Sequence, residues 1–304
     1  MPLADNFERH GREHVSASQI TKFIASPAAW VETYLENTHR ALGLRGFEGK
    51  VVEHALTLAF DKMAERNVGA EIDVVSLQHD MQVEAEIHFA KQMAEMDEIS
   101  KSHYQLGFHQ QALALEEMYS KANRDASIER ICKKVEVGIP ACIELFDNHG
   151  GKPESQVEVR WPIQLDRKST IPVLGYIDWL FPDGHIVDLK TTRNIPSSLS
   201  LAHGLQSYVY MEAQKAREME FMFIGDRKRE PVLSLLVERG SEIYASSGWL
   251  LRVATVRLGR MLRLSKTTLS GFLVKDPGSF YFNTPPINNI INERTDNADH
   301  ETSF

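Results

Sequence analysis

The sequence predicts a mixed α/β (α+β) fold, in which a mixed central sheet is flanked by helices and carries a helical elaboration. Apolar residues alternate over residues 156–190, which predicts three consecutive strands, the last two paired as a hairpin. Helical periodicity dominates residues 68–150, before these strands. A helix over about 198–219, two more strands and a long helix over about 241–269 follow them. This order of elements is typical of a sheet covered by helices.

The N-terminal part of the chain predicts helices after a flexible lead. Residues 1–15 are polar, and Ser16 then begins a helix, because a serine followed three residues later by Gln19 forms a capping box. The glycine-rich residues 43–49 predict a loop, and another helix follows it. From residue 276 onward the chain is rich in Pro, Asn and Asp, which predicts an extended or disordered tail over residues 276–304.

Chemically active side chains concentrate in the predicted hairpin. Its first strand ends near Asp178, residues 182–184 supply a Pro-Asp-Gly turn, and its second strand carries Asp188 and Lys190. Residues two apart on a strand share a face, so Asp188 and Lys190 project to the same side. Asp178 can face them across the strand pair. Two carboxylates and an ammonium group therefore converge.

Such a trio suits a hard metal ion. Carboxylate oxygens are the ligands that Mg²⁺ and Mn²⁺ prefer, and a bound ion lowers the pKa of a water molecule and neutralises a phosphate oxygen. An ammonium group beside the ion can stabilise the charge that develops during phosphoryl transfer. The alternative is a solvated hairpin with scattered charges, since Asp-x-Lys alone is a common sequence.

The order and spacing of these residues resemble the PD-(D/E)XK nuclease superfamily, in particular its RecB-like branch and the phage exonucleases close to it. That family has a Gly-x-x-Asp strand, an Asp/Glu-x-Lys strand and a helix with Gln-x-x-x-Tyr. Here the matching stretches are Gly175–Asp178, Asp188–Lys190 and Gln206–Tyr210. The match runs from about Gly49 to Tyr210. It implies a restriction-endonuclease-like fold.

The resemblance also implies a domain plan and a catalytic site. One nuclease domain would span residues 1–275, with a helical insertion at about 68–150. Carboxylates of that site would bind Mg²⁺ or Mn²⁺, a lysine would position or activate the water, and a Gln and a Tyr on one helix face would support the lysine or a phosphate. The residues implied are Asp178, Asp188, Lys190, Gln206, Tyr210 and Glu53.

Two neighbouring residues compete for the last metal position. Counting from Gly49, the fourth-following position of the family pattern is Glu53, and a hard ion favours its carboxylate. Some relatives use His, so His54 is the second choice as a metal ligand. Neighbours on a helix point about 100° apart, so only one of the two is expected to face the ion.

Cysteine usage bears on cofactors and compartment. Many relatives have Cys-Pro, with the Cys bound to an iron–sulfur cluster, where this chain has Ser26 and Pro27. With only Cys132 and Cys142 in the whole chain, a four-cysteine cluster is not possible, and we predict no iron–sulfur cluster. Two cysteines also predict a reducing compartment, hence a cytoplasmic protein. The sequence has no apolar run that predicts a membrane span.

Charge is unevenly distributed. The net charge is −8, but residues 190–275 contain 14 Lys and Arg and 7 Asp and Glu, a balance of 14 − 7 = +7, so the rest carries −8 − 7 = −15. A locally basic region on an acidic chain fits a protein that contacts nucleic-acid phosphates in one place. Its long helix carries basic residues within about a half-circle, and a solvated face is an equally open interpretation. They are Arg252, Arg257, Arg260, Arg263 and Lys266.

The sequence and the resemblance together predict a metal-dependent DNA nuclease. The subtype favoured is an exonuclease in DNA recombination, repair or phage DNA processing, with DNA as the partner and a recombination or single-strand-binding protein as a further partner. Two alternatives remain open. One is a catalytically inactive nucleic-acid-binding member of the same fold, and the other is a protein-interaction module built on the acidic helices.

Overall fold

A six-stranded mixed sheet lies between two groups of helices in the computed structural model of the chain, which describes residues 3–36, 39–40, 43–65, 71–226, 229–272 and 286–287. The predicted class, a mixed sheet flanked by helices, is confirmed. The helices are α1 (Leu3–Glu8), α2 (Ala17–Ala25), α3 (Pro27–Tyr34), α4 (Leu44–Ala64), α5 (Val74–Gln105), α6 (His109–Met118), α7 (Lys121–Asn148), α8 (Leu201–Gln214), α9 (Glu242–Met261) and α10 (Lys266–Phe272).

The strands combine antiparallel hairpins with parallel crossovers. They are β1 (Val15–Ser16), β2 (His39–Arg40), β3 (Glu154–Gln164), β4 (Thr170–Leu180), β5 (Ile186–Thr192), β6 (Glu218–Gly225), β7 (Val232–Glu238) and β8 (Pro286–Ile287). The main sheet has the order β1-β4-β5-β6-β7, with β3 also paired to β4. Strands β5 and β6 are parallel and are connected through α8. Strands β2 and β8 form a separate short antiparallel pair.

The two faces of the sheet bury separate apolar cores. On one face, Ile177, Leu205 and Phe221 pack with α1, α2, α3, α8 and α9. On the other face, Trp179 and Val187 pack with α4, α5 and α7. The helical block predicted at 68–150 corresponds to α5, α6 and α7, and its two long helices both pack on α4. Each core therefore joins its own set of helices to one face of the sheet.

Strand β4 has three partners, and this opens a fork in the sheet. Strand β3 pairs with β4 from Thr170 to Leu180 and so occupies one edge of β4. The other edge is shared, because β5 pairs only with Trp179 and Leu180 while β1 pairs only with Val173 and Leu174. Residues 175–178 lie between these two pairings. Strands β4 and β5 therefore separate two rungs after their hairpin turn.

The expectation that residues 1–15 form a flexible lead is wrong. Helix α1 buries Phe7, and Asn6 is buried and donates a hydrogen bond from Nδ2 to the carbonyl of Gly259 at 3.0 Å. Arg9 donates to the carbonyl of Leu262 at 2.8 Å, where α9 has just ended. Orphan carbonyls at a helix end need donors, and the polar N-terminal residues supply them. The polar residues Asn6 and Arg9, which the sequence assigned to a flexible lead, thus cap the C-terminal end of α9.

Two helix boundaries also differ from the predictions. The single helix expected over about 241–269 is two helices, because α9 ends at Met261 and Ser265 begins the next one by accepting a hydrogen bond from the backbone N–H of Thr268. The helix expected over 198–219 is the shorter α8, since the chain becomes strand β6 at Glu218. The tail predicted at 276–304 lies outside the described residues, apart from the two of β8.

Among the helices of the described residues, none has an apolar stretch long enough to span a bilayer.

Candidate active site

The fork between β4 and β5 is held by a side chain instead of a ladder hydrogen bond. Asp178 Oδ2 accepts a hydrogen bond from the backbone N–H of Leu189 at 2.8 Å. The carboxylate thus satisfies a backbone donor that the separating strands leave without a β4 partner. The other oxygen, Oδ1, accepts a hydrogen bond at 3.2 Å from Nε2 of Gln156, which lies on β3.

Asp188 and Lys190 lie on the same face of β5, as period-two geometry requires. Their side chains form an ion pair between Lys190 Nζ and Asp188 Oδ2. Asp188 is 1% exposed, whereas Lys190 is about one-third exposed. The other oxygen of Asp188 accepts a hydrogen bond from Gln206 Nε2 at 2.5 Å. A buried carboxylate is therefore held between a cation on its own strand and an amide from α8.

Helix α8 brings two residues to the fork. It begins with a reciprocal capping box between Ser200 and His203, which fixes its first turn. Gln206 lies one turn later and also donates to Tyr210 Oη at 3.0 Å, four residues further along the same helix face. The ring of Tyr210 lies against the backbone of Gly175, where an added Cβ would be 2.4 Å from Tyr210 Cε1. Only glycine permits this approach, which gives the Gly-x-x-Asp pattern a physical reason.

Helix α4 brings Glu53 from the opposite face of the sheet. The helix approaches β5 closely at Gly49, where an added Cβ would be 2.9 Å from Thr191 Oγ1. Glu53 Oε1 accepts a hydrogen bond from Gln156 Nε2, the same nitrogen that donates to Asp178 Oδ1 at 3.2 Å. His54 points elsewhere: its ring stacks on His88 of α5, with centroids 4.1 Å apart. Of the two competing residues, Glu53 is the one that lies with the other carboxylates.

Gln156 is a member of this cluster that the sequence did not single out. It stands on β3 between Ser155 and Val157, which pair with Trp179 and Ile177 in one continuous register, so it lies opposite Asp178. The pairing of β3 with the hairpin would have located it. Ser26, at the position where the resembling proteins carry Cys, caps α3 by accepting a hydrogen bond from the N–H of Ala29 at 3.2 Å.

Burial raises the pKa of all three carboxyl groups, and repulsion between them raises it further at Asp178 and Glu53. Burial raises the pKa of Asp178 well above its usual range, and the charges of Asp188 and Glu53 raise it further. Burial and Asp188 also raise the pKa of Glu53, against the hydrogen bond from Gln156. The pKa of Asp188 is raised by burial, although Lys190 and Gln206 oppose the change. The site therefore carries more negative charge than its own residues can neutralise.

Lys190 is the cation of the site. Burial alone lowers the pKa of its ammonium group, but the charges of Asp188, Asp178 and Glu53 outweigh burial, and the pKa is raised. Lys190 is therefore protonated at neutral pH and acts as a charge and a donor. His203, close by, has its pKa lowered to about 4 by burial and by the charge of Lys190, so it is neutral.

The donor set suits a hard divalent cation, although its members are not yet closed around one. Glu53, Asp178 and Asp188 supply only carboxylate oxygens, and the buried Oδ2 of Asp188 accepts no hydrogen bond of standard geometry from the described residues. Among those residues, no three His, Cys, Asp or Glu side chains are grouped tightly enough to hold a metal ion as they stand. The amide of Gln156 lies between two of the carboxylates.

Comparisons with known proteins do not identify a family. No family model matches the chain, and no curated protein matches it. The chain is similar to the solved structure of SSO0001, with 14% identity, a TM-score of 0.32, and coverage of 70% of this chain and 88% of that one. It is also similar to that of a candidate exonuclease from Eubacterium rectale, with 16% identity, a TM-score of 0.32, and coverage of 60% of this chain and 77% of that one. Similarities this weak carry no conclusion about function.

Proposed function

We propose that this protein is a metal-dependent deoxyribonuclease whose active site is the fork between β4 and β5. The observation that carries the proposal is the convergence of three carboxylates, one fully buried and two partly buried, on one lysine, from four separate positions of the chain. Asp178 and Asp188 come from the hairpin, Glu53 from α4, and Lys190 from β5. A solvated hairpin with scattered charges would not bury these groups or raise their pKa values together.

Mg²⁺ or Mn²⁺ is the cofactor that this donor set fits, with Asp178, Asp188 and Glu53 as its ligands. When bound, such an ion supplies positive charge for a phosphate oxygen and lowers the pKa of a water molecule. His54 is not proposed as a ligand, because its ring packs on His88.

The remaining side chains orient the site and offset charge. Gln206 holds Asp188 in one orientation, and Tyr210 fixes Gln206 in turn. Lys190 places an ammonium group where charge increases on the phosphate during attack by water, and stabilising that charge is the main electrostatic contribution a protein makes to such a reaction. Hydrolysis forms a bond from the water oxygen to phosphorus and breaks the bond to the leaving oxygen, which gives a 5′-phosphate and a 3′-hydroxyl in the proteins that this chain resembles.

DNA as the substrate is supported by the charge distribution. The basic residues Arg252, Arg257 and Arg260 are all exposed on α9, which packs on α8. We propose that this face contacts the phosphate backbone, which makes binding weaken as salt is raised. The exonuclease subtype and a role in recombination, repair or phage DNA processing rest on the resemblance of the Gly175–Asp178, Asp188–Lys190 and Gln206–Tyr210 stretches alone.

A cleavage assay on two DNA topologies tests the proposal. Wild-type protein is incubated with end-labelled linear duplex and with covalently closed circular DNA of the same sequence, in Mg²⁺, in Mn²⁺ and in EDTA. Degradation of linear DNA in either metal, with none in EDTA and none of the circle, is the expected result. Lys168→Ala, which alters an exposed lysine in the turn between β3 and β4, serves as the matched control for Lys190→Ala. DNA binding without cleavage of either topology would leave the inactive DNA-binding alternative in place of a nuclease.

A further inference from the structure

Gln156 has a backbone conformation that is costly for its residue type. Its φ is +51°, in the left-handed region that glycine, asparagine and aspartate tolerate best. The strand pairing of β3 with β4 keeps one register on both sides of it, so no inserted residue forces the turn. Strain of this kind, in the middle of a regular strand pair, persists where the surrounding structure over-determines it, often at functional sites.

The side chain of Gln156 reaches the two metal-ligand candidates that approach from different elements. Its Nε2 donates to Glu53 Oε1 on α4 and to Asp178 Oδ1 on β4. One nitrogen thus lies within hydrogen-bond distance of two carboxylate oxygens whose charges repel each other. A divalent cation bound by both carboxylates would need to lie between the same two oxygens.

The amide is free to leave this place. Gln156 is exposed on β3, which pairs only with β4 and therefore forms an edge of the sheet, so the side chain can move into water without crossing either core. A buried structural glutamine would not have this freedom.

We propose that Gln156 is a positioning residue that holds Glu53 and Asp178 together in the metal-free protein and is displaced when a divalent cation binds. This inference rests on the proposed function, because it concerns the same metal site. Gln156 thereby lowers the apparent affinity for the metal while keeping the two carboxylates near their binding positions. It also excludes any cation too weakly held to compete with the amide.

Direct metal binding without DNA tests the proposal. Gln156→Asn tolerates the left-handed backbone and keeps an amide, but it is one methylene shorter and cannot bridge Glu53 and Asp178. Gln156→Gly removes the amide and accepts the backbone conformation without strain. Gln164→Asn, at the far end of the same strand and also exposed, is the matched control. Mn²⁺ binding is measured by titration calorimetry and by the electron paramagnetic resonance signal of free Mn²⁺, and Asp178→Asn identifies the binding that belongs to this site.

Both Gln156 variants should bind Mn²⁺ more tightly than wild type, by roughly three- to tenfold, the ratio that corresponds to one hydrogen bond of ordinary net strength. Gln164→Asn should bind as wild type does. Unchanged Mn²⁺ binding in both Gln156 variants would overturn the inference, because the amide would then not compete with the cation. Weaker binding in both would overturn it as well, because Gln156 would then act as a ligand.

The outcomes separate this inference from the nuclease assignment. If the Gln156 variants bind Mn²⁺ more tightly but the wild-type protein cleaves no DNA, the role of Gln156 is supported and the nuclease proposal is refuted. If wild type cleaves DNA in a metal-dependent way but neither Gln156 variant changes the Mn²⁺ affinity, the nuclease proposal is supported and the role of Gln156 is refuted. A wild-type protein that binds no Mn²⁺ at this site overturns the role of Gln156.

Discussion

Helix α4 carries two glutamates, Glu48 and Glu53, five residues apart, one buried and the other partly buried, and their surroundings differ sharply. Glu48 is fully buried and accepts hydrogen bonds from Ser127 Oγ at 2.9 Å and from Arg130 Nε at 3.1 Å, while Arg45 Nη1 lies 3.0 Å from its other oxygen. Glu53 has one hydrogen bond from the neutral amide of Gln156. The same helix thus places one carboxylate among cations and the other among carboxylates.

The charge sums of the two clusters make the difference concrete. Around Glu48, three cations (Arg45, Arg130 and Lys134) face two anions (Glu48 and Asp226), which gives 3 − 2 = +1. Around Glu53, two cations, Lys190 and Lys50, face three anions (Glu53, Asp178 and Asp188), which gives 2 − 3 = −1. The first cluster connects α4, α7 and the end of β6, and it serves the fold. The second cluster has an excess of negative charge, which suits the divalent cation that we propose it binds.

The largest expected effect is the loss of activity in the negatively charged cluster. Lys190→Ala and Asp188→Ala should each lower DNA cleavage by about 10³-fold or more, because each removes a group that acts on charge developing in the transition state. Cleavage is measured on linear duplex under saturating Mg²⁺, with circular dichroism to show that the variants are folded. Lys168→Ala should retain full activity. A folded Lys190→Ala variant with wild-type turnover would place the chemistry elsewhere.

The Glu48 cluster should show the opposite response, a loss of stability. Glu48→Ala should lower the free energy of unfolding by about 3–5 kcal/mol, since it leaves the buried Lys134 with Asp226 alone and removes the acceptor of Ser127 and Arg130. Urea unfolding in EDTA measures this. Glu98→Ala, which removes an exposed ion pair with Lys101, should change stability by less than about 0.5 kcal/mol. Equal stability losses in the two variants would show that Glu48 is not a fold-holding charge.

The contrast also shows what the sequence can and cannot reveal. Asp188 and Lys190 could be placed on one face from strand period alone, and the turn at residues 182–184 brought Asp178 to them. Gln156 could not be found from strand period and the turn alone, because its place opposite Asp178 depends on how β3 pairs with β4. The Glu48 cluster depends on partners about 80 to 180 residues away along the chain.

Long-range docking also explains the errors at the two ends of the fold. The polar residues 3–10 looked like a solvated lead, but they cap the end of α9 about 250 residues away. Local periodicity carries no information about such a contact. The break at residues 262–265 could have been inferred from Ser265 as a helix cap, since a serine followed by a fresh helical stretch is a start signal.

A third expected effect sharpens the assignment within α4. Glu53→Ala should raise the Mg²⁺ concentration needed for half-maximal cleavage by about tenfold, the loss expected when one carboxylate ligand is removed from a hard cation. His54→Ala should change it little, because His54 stacks on His88 outside the carboxylate cluster. A metal titration of both variants beside wild type makes the comparison. If only His54→Ala raised the Mg²⁺ concentration needed for half-maximal cleavage, the metal ligand on α4 would be His54 instead of Glu53.

The smallest expected effect is a gain in stability at Asp178. Because the pKa of Asp178 is raised in the folded protein, the unfolded chain releases this proton first as pH rises. The metal-free protein therefore loses stability as pH climbs from the ordinary carboxyl pKa to the raised folded value, and the loss is complete above it. Asp178→Asn keeps an oxygen for the N–H of Leu189 and carries no charge, so it should unfold about 2–4 °C higher than wild type in EDTA at neutral pH, or about 1 kcal/mol.

The same pair of proteins should change order when metal is added. Mn²⁺ binds the folded wild type and stabilises it by mass action, whereas Asp178→Asn has lost a ligand and should gain little. Thermal unfolding of both proteins at several pH values, with EDTA and with saturating Mn²⁺, gives the full comparison. In EDTA the higher unfolding temperature of Asp178→Asn should approach that of wild type as pH falls below the ordinary carboxyl pKa. At that pH the Asp178 carboxyl of wild type is protonated in both the folded and the unfolded state. A variant that is less stable than wild type in EDTA at neutral pH would show that Asp178, like Glu48, is held by balanced charge, and the distinction between the two clusters would fail.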